Sequence, residues 1–474
     1  MALVYVVAAV IVLQAQCAAG QGNDTCADCA LLEEFYDATG GQLWISSHGW
    51  LEGNPCPTDA SESTWYGLEC TEGAVTGMRL DHNNLVGTLP ESLAGIPTLS
   101  YIDLSGNSLT GPLPSTWNQL WLLRTLYLNS NELQGVIPET YGHFGSIARL
   151  KLSGNQLSGT IPASIGQSAT LLTFYAGNND LVGAIPDEFF HMPTMEELSL
   201  HDNRLSGTIG DVSNMIRLQQ FNVNSNQLGG ELPSSFKNLN TIMSFSVANN
   251  SFSGQFPAFS NSSQLHSIAA DYNQFEGNLP NIKKLRLLGS VSFSNNRFTG
   301  RIPEFSLNNS PTLSSIDLSY NMLSGTVPSS MSGLPLTKLH LENNTLTGQL
   351  PSFLSHSVSF DVDLRNNAFA CPLPSWCGES GNGLCTPCVE GGPVGLASTP
   401  SDTVVESSGG GDEDTGTDND SLALDILMLA IIIGVTVVVI AVAVLLFALF
   451  IVYRRVRYPK FIPVANMDID DDDL

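Results

Sequence analysis

Basic residues are scarce in this chain of 474 residues: 18 Lys and Arg stand against 45 Asp and Glu, a net charge of −27. So acidic a chain repels phosphate backbones, which excludes nucleic acid as a partner. Cysteine is missing from the whole interval between Cys70 and Cys371, although the chain has nine. Motifs of hydrolytic and phosphate chemistry, and histidine metal motifs, are missing as well. The eight histidines, His48, His82, His143, His191, His201, His266, His340 and His356, form no H-E-x-x-H spacing, and no G-x-S-x-G elbow or phosphate-cradling glycine loop is present. No catalytic residue, metal ligand or cofactor is assigned, and the expectation is a protein that is not an enzyme.

What is present is repetition. The phrase LSGNSLTGPLP at residues 104–114 returns as LSGNQLSGTIP at 152–162 and LSYNMLSGTVP at 318–328. Aligned on its glycine, it falls at Gly87, Gly111, Gly135, Gly159, Gly183, Gly207, Gly230, Gly254, Gly277, Gly300, Gly325 and Gly348, with Cys371 in a thirteenth copy, at steps of 23 to 25 residues. A fixed period in this range carrying L-x-x-L-x-L-x-x-N-x-L marks a leucine-rich-repeat solenoid. Alternating apolar pairs such as Ile102 with Leu104 predict one short strand per coil, stacked in parallel on its neighbours. A single coil cannot bury its leucines, so the stack carries the stability and both ends need caps.

Four residues before each glycine stands an asparagine: Asn83, Asn107, Asn131, Asn155, Asn179, Asn203, Asn226, Asn250, Asn273, Asn296, Asn321, Asn344 and Asn367. An amide present in every coil reads as a structural ladder pairing backbone groups where the strand turns inward, not as catalysis. The combination L-x-G-x-[ILV]-P over residues 75–374 resembles the plant-type class of leucine-rich repeats. That resemblance implies a second short strand per coil and a superhelical twist. The fold class expected is an α/β repeat solenoid, a leucine-rich-repeat superhelix with a parallel β-sheet on its concave face, plus one transmembrane helix.

The chain divides into seven parts. Residues 1–20, apolar from 3 to 13 and then small, read as a secretory signal peptide. Residues 21–74 are a cysteine-containing N-terminal cap; its LLEEFYDATGGQLW and WYGLEC segments resemble the caps of plant-like and protist leucine-rich-repeat proteins. Leu31, Leu32, Phe35 and Tyr36 make an apolar helix face there, and Trp44, Trp50 and Trp65 are expected to cover the first coil. Residues 75–370 hold about 13 coils, the last merging with a Cys-rich C-terminal cap at 371–388. Residues 389–425 form an acidic stalk rich in Gly, Ser and Thr, expected to be disordered. Residues 426–453 carry no charge over 28 positions, long enough to span a bilayer, and Arg454, Arg455, Arg457 and Lys460 follow. Positive charge there puts the short tail, 454–474, in the cytosol and the repeats outside, a single-pass type I arrangement at the plasma membrane. The tail leaves no room for a kinase.

Cys17 falls within the signal peptide. The other eight group as Cys26, Cys29, Cys56 and Cys70, then Cys371, Cys377, Cys385 and Cys388. Even numbers at the two ends of a secreted array predict disulfide-stapled caps, with Cys56 to Cys70 the one pairing singled out. Two C-x-x-C pairs match redox or zinc spacings, but at opposite ends of the array they cannot share one metal.

Strand positions between the leucines point outward and are free to vary. Eight residues before the glycine stand Arg79, Asp103, Tyr127, Lys151 and Tyr175; ten before stand Tyr101, Arg149 and Glu197. These eight are the candidate ligand-binding residues, since aromatic and basic types gather in the first coils and Tyr and Arg dominate interface hot spots. The N-x-[ST] sequons are Asn23, Asn249, Asn261, Asn308, Asn343 and Asn419, none within the first seven coils, so glycans would leave the N-terminal half bare.

The order of parts resembles plant receptor-like proteins, which recognise a ligand outside the cell and signal through a kinase-bearing partner. The resemblance implies a non-catalytic cell-surface receptor that binds a peptide, protein or glycan and works with a membrane co-receptor. Two rival readings are adhesion to matrix without signalling, and inhibition or scaffolding of extracellular enzymes.

Overall fold

Three-residue strands are too short to be stable alone, and here each is held by the coil before and the coil after. The computed structural model describes residues 27–57, 64–259, 261–282, 284–355 and 361–373. Chain contacts separate two units, 1–394 and 395–474, the second wholly outside the described residues. The first unit is built on a 14-stranded sheet. It opens with an antiparallel pair, Leu68–Thr71 with Ala74–Arg79, and continues in parallel through Tyr101–Asp103, Thr125–Tyr127, Arg149–Lys151, Thr173–Tyr175 and Glu197–Ser199 to Asp361–Asp363. A second set of short parallel strands runs alongside, the longest part an eight-stranded sheet from Gln134–Val136 to Arg297–Thr299.

Each coil reads the same way. The alternating leucines, for example Leu126 and Leu128, are fully buried between the strand and the opposite wall. Gly111 takes φ 75°, a turn that L side chains avoid, and a Cβ there would come within 2.9 Å of the Thr88 side chain. Pro114, with φ fixed near −66°, then starts the 3₁₀ turn Ser115–Gln119.

Asparagine amides run the length of the stack. Asn131 Nδ2 donates to the Leu104 carbonyl of the previous coil at 3.0 Å and to Leu128 of its own, while its Oδ1 accepts from the Leu109 amide at 3.0 Å. The pattern repeats to Asn367, which donates to Leu341 and accepts from Leu346. Asn83 is the exception because no coil precedes it: it exchanges bonds with the Ser46 backbone of the cap.

Three regularities escape the repeat as read from sequence. Thr98, Thr170, Thr194, Thr241 and Thr312 form a second ladder, each hydroxyl donating to a carbonyl one coil earlier at 2.6 to 3.0 Å. A phenylalanine spine replaces leucine in the later coils, with Phe236–Phe245 at 5.0 Å and Phe256–Phe293 at 4.9 Å between ring centroids. Finally, the residue before each ladder asparagine is left-handed, with φ of 51° to 59° at His82, Ser130, Asn178, Asp202, Ser225, Asn249, Tyr272, Asn295, Tyr320, Asn343 and Asn366, and glycine at 106 and 154. Gly, Asn and Asp tolerate this region best, which explains most of the row.

At the N-terminal end, helix Ala27–Ala38 buries Leu32, Phe35 and Tyr36 against a tryptophan cluster. Trp44–Trp50 and Trp50–Trp65 centroids lie 4.8 and 5.0 Å apart, and each indole N–H finds a backbone carbonyl, at Thr39, Tyr66 and Glu52. Cys56 and Cys70 form a disulfide with Cα atoms 5.6 Å apart. Closing a loop of 14 residues' separation constrains the unfolded chain, so a Cys56→Ser, Cys70→Ser double variant is expected to lose about 3 kcal/mol in denaturant unfolding; an unchanged midpoint would contradict this. Cys29 lies on the cap helix and Cys371 is disulfide-bonded, whereas Cys26, Cys377, Cys385 and Cys388 lie outside the described residues. So do the signal peptide, the stalk, the span at 426–453 and the tail. No helix among the described residues is long and apolar enough to cross a membrane.

Candidate functional site

Parallel register turns the two exposed strand positions into continuous columns. Gly77, Tyr101, Thr125, Arg149, Thr173 and Glu197 align in one; Arg79, Asp103, Tyr127, Lys151, Tyr175 and Ser199 align in the other. All eight candidate residues therefore share one surface, a face of the 14-stranded sheet over the first six coils. Not every column position is open: Thr125, Thr173 and Ser199 are buried beneath their larger neighbours.

The eight fall into two groups by what they touch. Arg79 is spoken for, because its guanidinium pairs with Glu69 of the cap strand and lies 4.0 Å from the Tyr101 ring centroid. Tyr101 donates to Asp103 at 3.2 Å, and Asp103 in turn accepts from the Ser105 amide and hydroxyl. That group is a self-satisfied joint between cap and first coils.

The second group is different. Lys151 Nζ sits 4.7 Å from the Tyr127 ring centroid and 5.1 Å from that of Tyr175, an ammonium flanked by two aromatic rings. Tyr175 is fixed from the other side, its hydroxyl donating to Glu197 at 2.6 Å and lying 3.3 Å from Gln220 Oε1. Tyr127, Lys151 and Tyr175 line a depression of about 380 Å³ with Ser105, Asn129, Ser130, Ser153 and Asn178. No carboxylate lines it, so its one charge is positive. Arg149 is exposed on the adjacent column and also acts electrostatically on Tyr127.

Burial raises all three phenols of this face above the ordinary tyrosine range. Tyr101 goes to about 12, chiefly through desolvation and then the Asp103 charge, while Tyr127 rises by burial against the pull of Arg149. Tyr175 rises by burial and by its bond to Glu197. A raised acid keeps its proton in the folded state after the unfolded chain has lost it. Stability therefore falls as pH climbs from 10 to about 12. In a spectrophotometric titration, Tyr101→Phe is expected to remove a phenol ionising near 12; removal of one ionising near 10 would be the wrong result.

Sequons at Asn249, Asn261 and Asn308 are exposed and Asn343 is half-buried, all from the eighth coil onward. Asn23 and Asn419 lie outside the described residues. Among the described residues no group of three or more His, Cys, Asp or Glu could hold a metal.

The family model "Leucine rich repeat" matches residues 74–133, and single "Leucine Rich Repeat" units match 146–168, 217–239, 312–334 and 335–357. Over 65 residues the chain is 35% identical to Receptor-like protein 5 of Arabidopsis thaliana, 14% of this chain and 22% of that protein. The solved PEPR1-AtPEP1 structure superposes with a TM-score of 0.65 at 27% identity, covering 77% of this chain and 51% of its own. The Arabidopsis receptor kinase HAESA, solved with the peptide hormone IDA and the co-receptor SERK1, gives 0.53 at 27% identity, covering 73% and 66%. The chain thus spans under a quarter of the curated relative and about half to two thirds of the two structures.

Proposed function

We propose that this chain, a leucine-rich-repeat protein of the plant receptor-like type, is a non-catalytic cell-surface receptor that binds an extracellular peptide along the concave face of coils one to six. The observation that carries the reading is Lys151 held between Tyr127 and Tyr175 above a depression with no acidic lining. Rings anchored by Glu197 and by the cation lose little freedom on binding, which is what makes aromatic residues effective anchors. The similar receptor kinase HAESA was solved with the peptide hormone IDA bound, which supports a peptide as the ligand class.

Anchored by the apolar run at 426–453 with its repeats outside, the receptor signals through a membrane partner, as the SERK1 co-receptor in the HAESA complex suggests. Crosslinking the full-length protein in its native membrane, followed by mass spectrometry, tests this. Recovery of a signalling chain together with a secreted peptide is the expected result. Recovery of only wall or matrix proteins would move the reading to adhesion.

A further inference from the structure

Two tyrosines stand in the left-handed row that precedes the asparagine ladder. Tyr272 and Tyr320 take φ 52°, where bulky side chains are disfavoured, at a turn that five other coils fill with asparagine. Core packing does not explain them, since they are 61% and 51% exposed. Their order along the row does suggest a use. From coil eight to coil twelve it reads Asn249, Tyr272, Asn295, Tyr320, Asn343, an alternation of amide and ring.

Backbone bonds keep the row in step, with the Tyr272, Asn295 and Tyr320 amides donating to Ser294, Ser319 and Glu342 at 2.9 to 3.0 Å. One coil advances the row by the spacing of parallel strands, so the two tyrosine positions stand roughly 10 Å apart with Asn295 between them. An extended chain of β-linked pyranoses presents the matching pattern: the apolar C–H face of every second ring repeats along it, and hydroxyl groups lie between. Tyrosine offers an apolar face and a polar tip, and the amide offers both a donor and an acceptor.

We propose that this row is a ledge for a β-linked pyranose chain, separate from the concave peptide site. Such a chain has two sources: a polysaccharide outside the cell, or the β-linked core of glycans carried by the chain's own sequons at Asn249 and Asn343, the first and last positions of this alternation.

The test titrates the full-length glycoprotein, before and after enzymatic deglycosylation, with cellohexaose and with chitohexaose. The variants are Tyr272→Asn and Tyr320→Asn, which install the residue the turn prefers and so keep or raise the thermal midpoint. Binding of a hexasaccharide, weakened about tenfold or more by each variant, is expected. Binding already present in the glycosylated protein assigns the ledge to external polysaccharide. Binding that emerges only on deglycosylation assigns it to the chain's own glycans, and deglycosylation should then lower the midpoint of the natural protein more than that of the double variant. Absence of binding in both forms, or an affinity in both variants equal to that of the natural protein, overturns the proposal.

Discussion

Asn273→Ala is expected to lower the stability of the repeat array by about 1 to 3 kcal/mol, the cost of one buried backbone amide left unpaired. Asn273 is 9% exposed in coil nine, where its Nδ2 donates to the Val247 carbonyl of the coil before at 2.9 Å and to Asp271 at 3.0 Å. Its Oδ1 accepts from the Phe252 amide at 3.0 Å. Water cannot replace these bonds, because Phe252 and Val247 are fully buried and Phe252 stacks on Phe275 directly behind the turn. Truncation therefore leaves the Phe252 N–H without an acceptor in an apolar wall, while the Val247 carbonyl keeps its bond from Asn250 Nδ2 at 3.2 Å. The neighbouring Gln274 is exposed, so Gln274→Ala is the control and is expected to stay within about 0.5 kcal/mol. Denaturant unfolding followed by circular dichroism compares the two. Equal midpoints would mean that the amide is spared by some relaxation of the coil, and the ladder would lose its claim to hold neighbouring coils together.

The ladder was legible because the chemistry it performs is the same in every coil, so selection for one amide at one turn writes itself thirteen times. Where the backbone demand is the same but several residues can meet it, the signal fades. The left-handed position accepts Gly, Asn, Asp, Ser, His and even Tyr, and only the excess of Asn and Gly before the ladder residue hinted at it. The threonine ladder is weaker still, present in some coils and replaced in others. The candidate site shows a different limit. Register and the period of two place Arg79 and Lys151 in the same column, but the carboxylate that occupies Arg79 comes from Glu69, on the antiparallel strand that belongs to the cap. Similarly, Tyr175 is anchored by Glu197 from the other column one coil later. Which cation is engaged depends on pairings across coils that no spacing within one repeat encodes.

That difference yields the second large effect. Lys151→Ala is expected to weaken binding of the peptide recovered by crosslinking by about 2 kcal/mol or more, roughly thirtyfold, whereas Arg79→Ala should leave that affinity nearly unchanged and instead loosen the cap. Lys151 is the charge of the depression and also the contact that joins the faces of Tyr127 and Tyr175. Its loss therefore removes an electrostatic partner for the ligand and the cation contact that orders both rings, leaving Tyr175 held by its bond to Glu197. The same logic predicts coupling. In a double-mutant cycle, Lys151→Ala and Tyr175→Ala should be non-additive, because each single change already releases the contact between them. Glu197→Gln should cost less, since an amide oxygen can still accept the Tyr175 hydroxyl. These side chains lie on the surface columns and not among the leucines, so far-ultraviolet circular dichroism and the thermal midpoint should change little while affinity falls. If Lys151→Ala and Tyr127→Ala both bind the peptide as the natural protein does, the ligand rests elsewhere on the solenoid. Arg79, Tyr101 and Asp103 would then be no better supported, since their polar groups are already turned on one another.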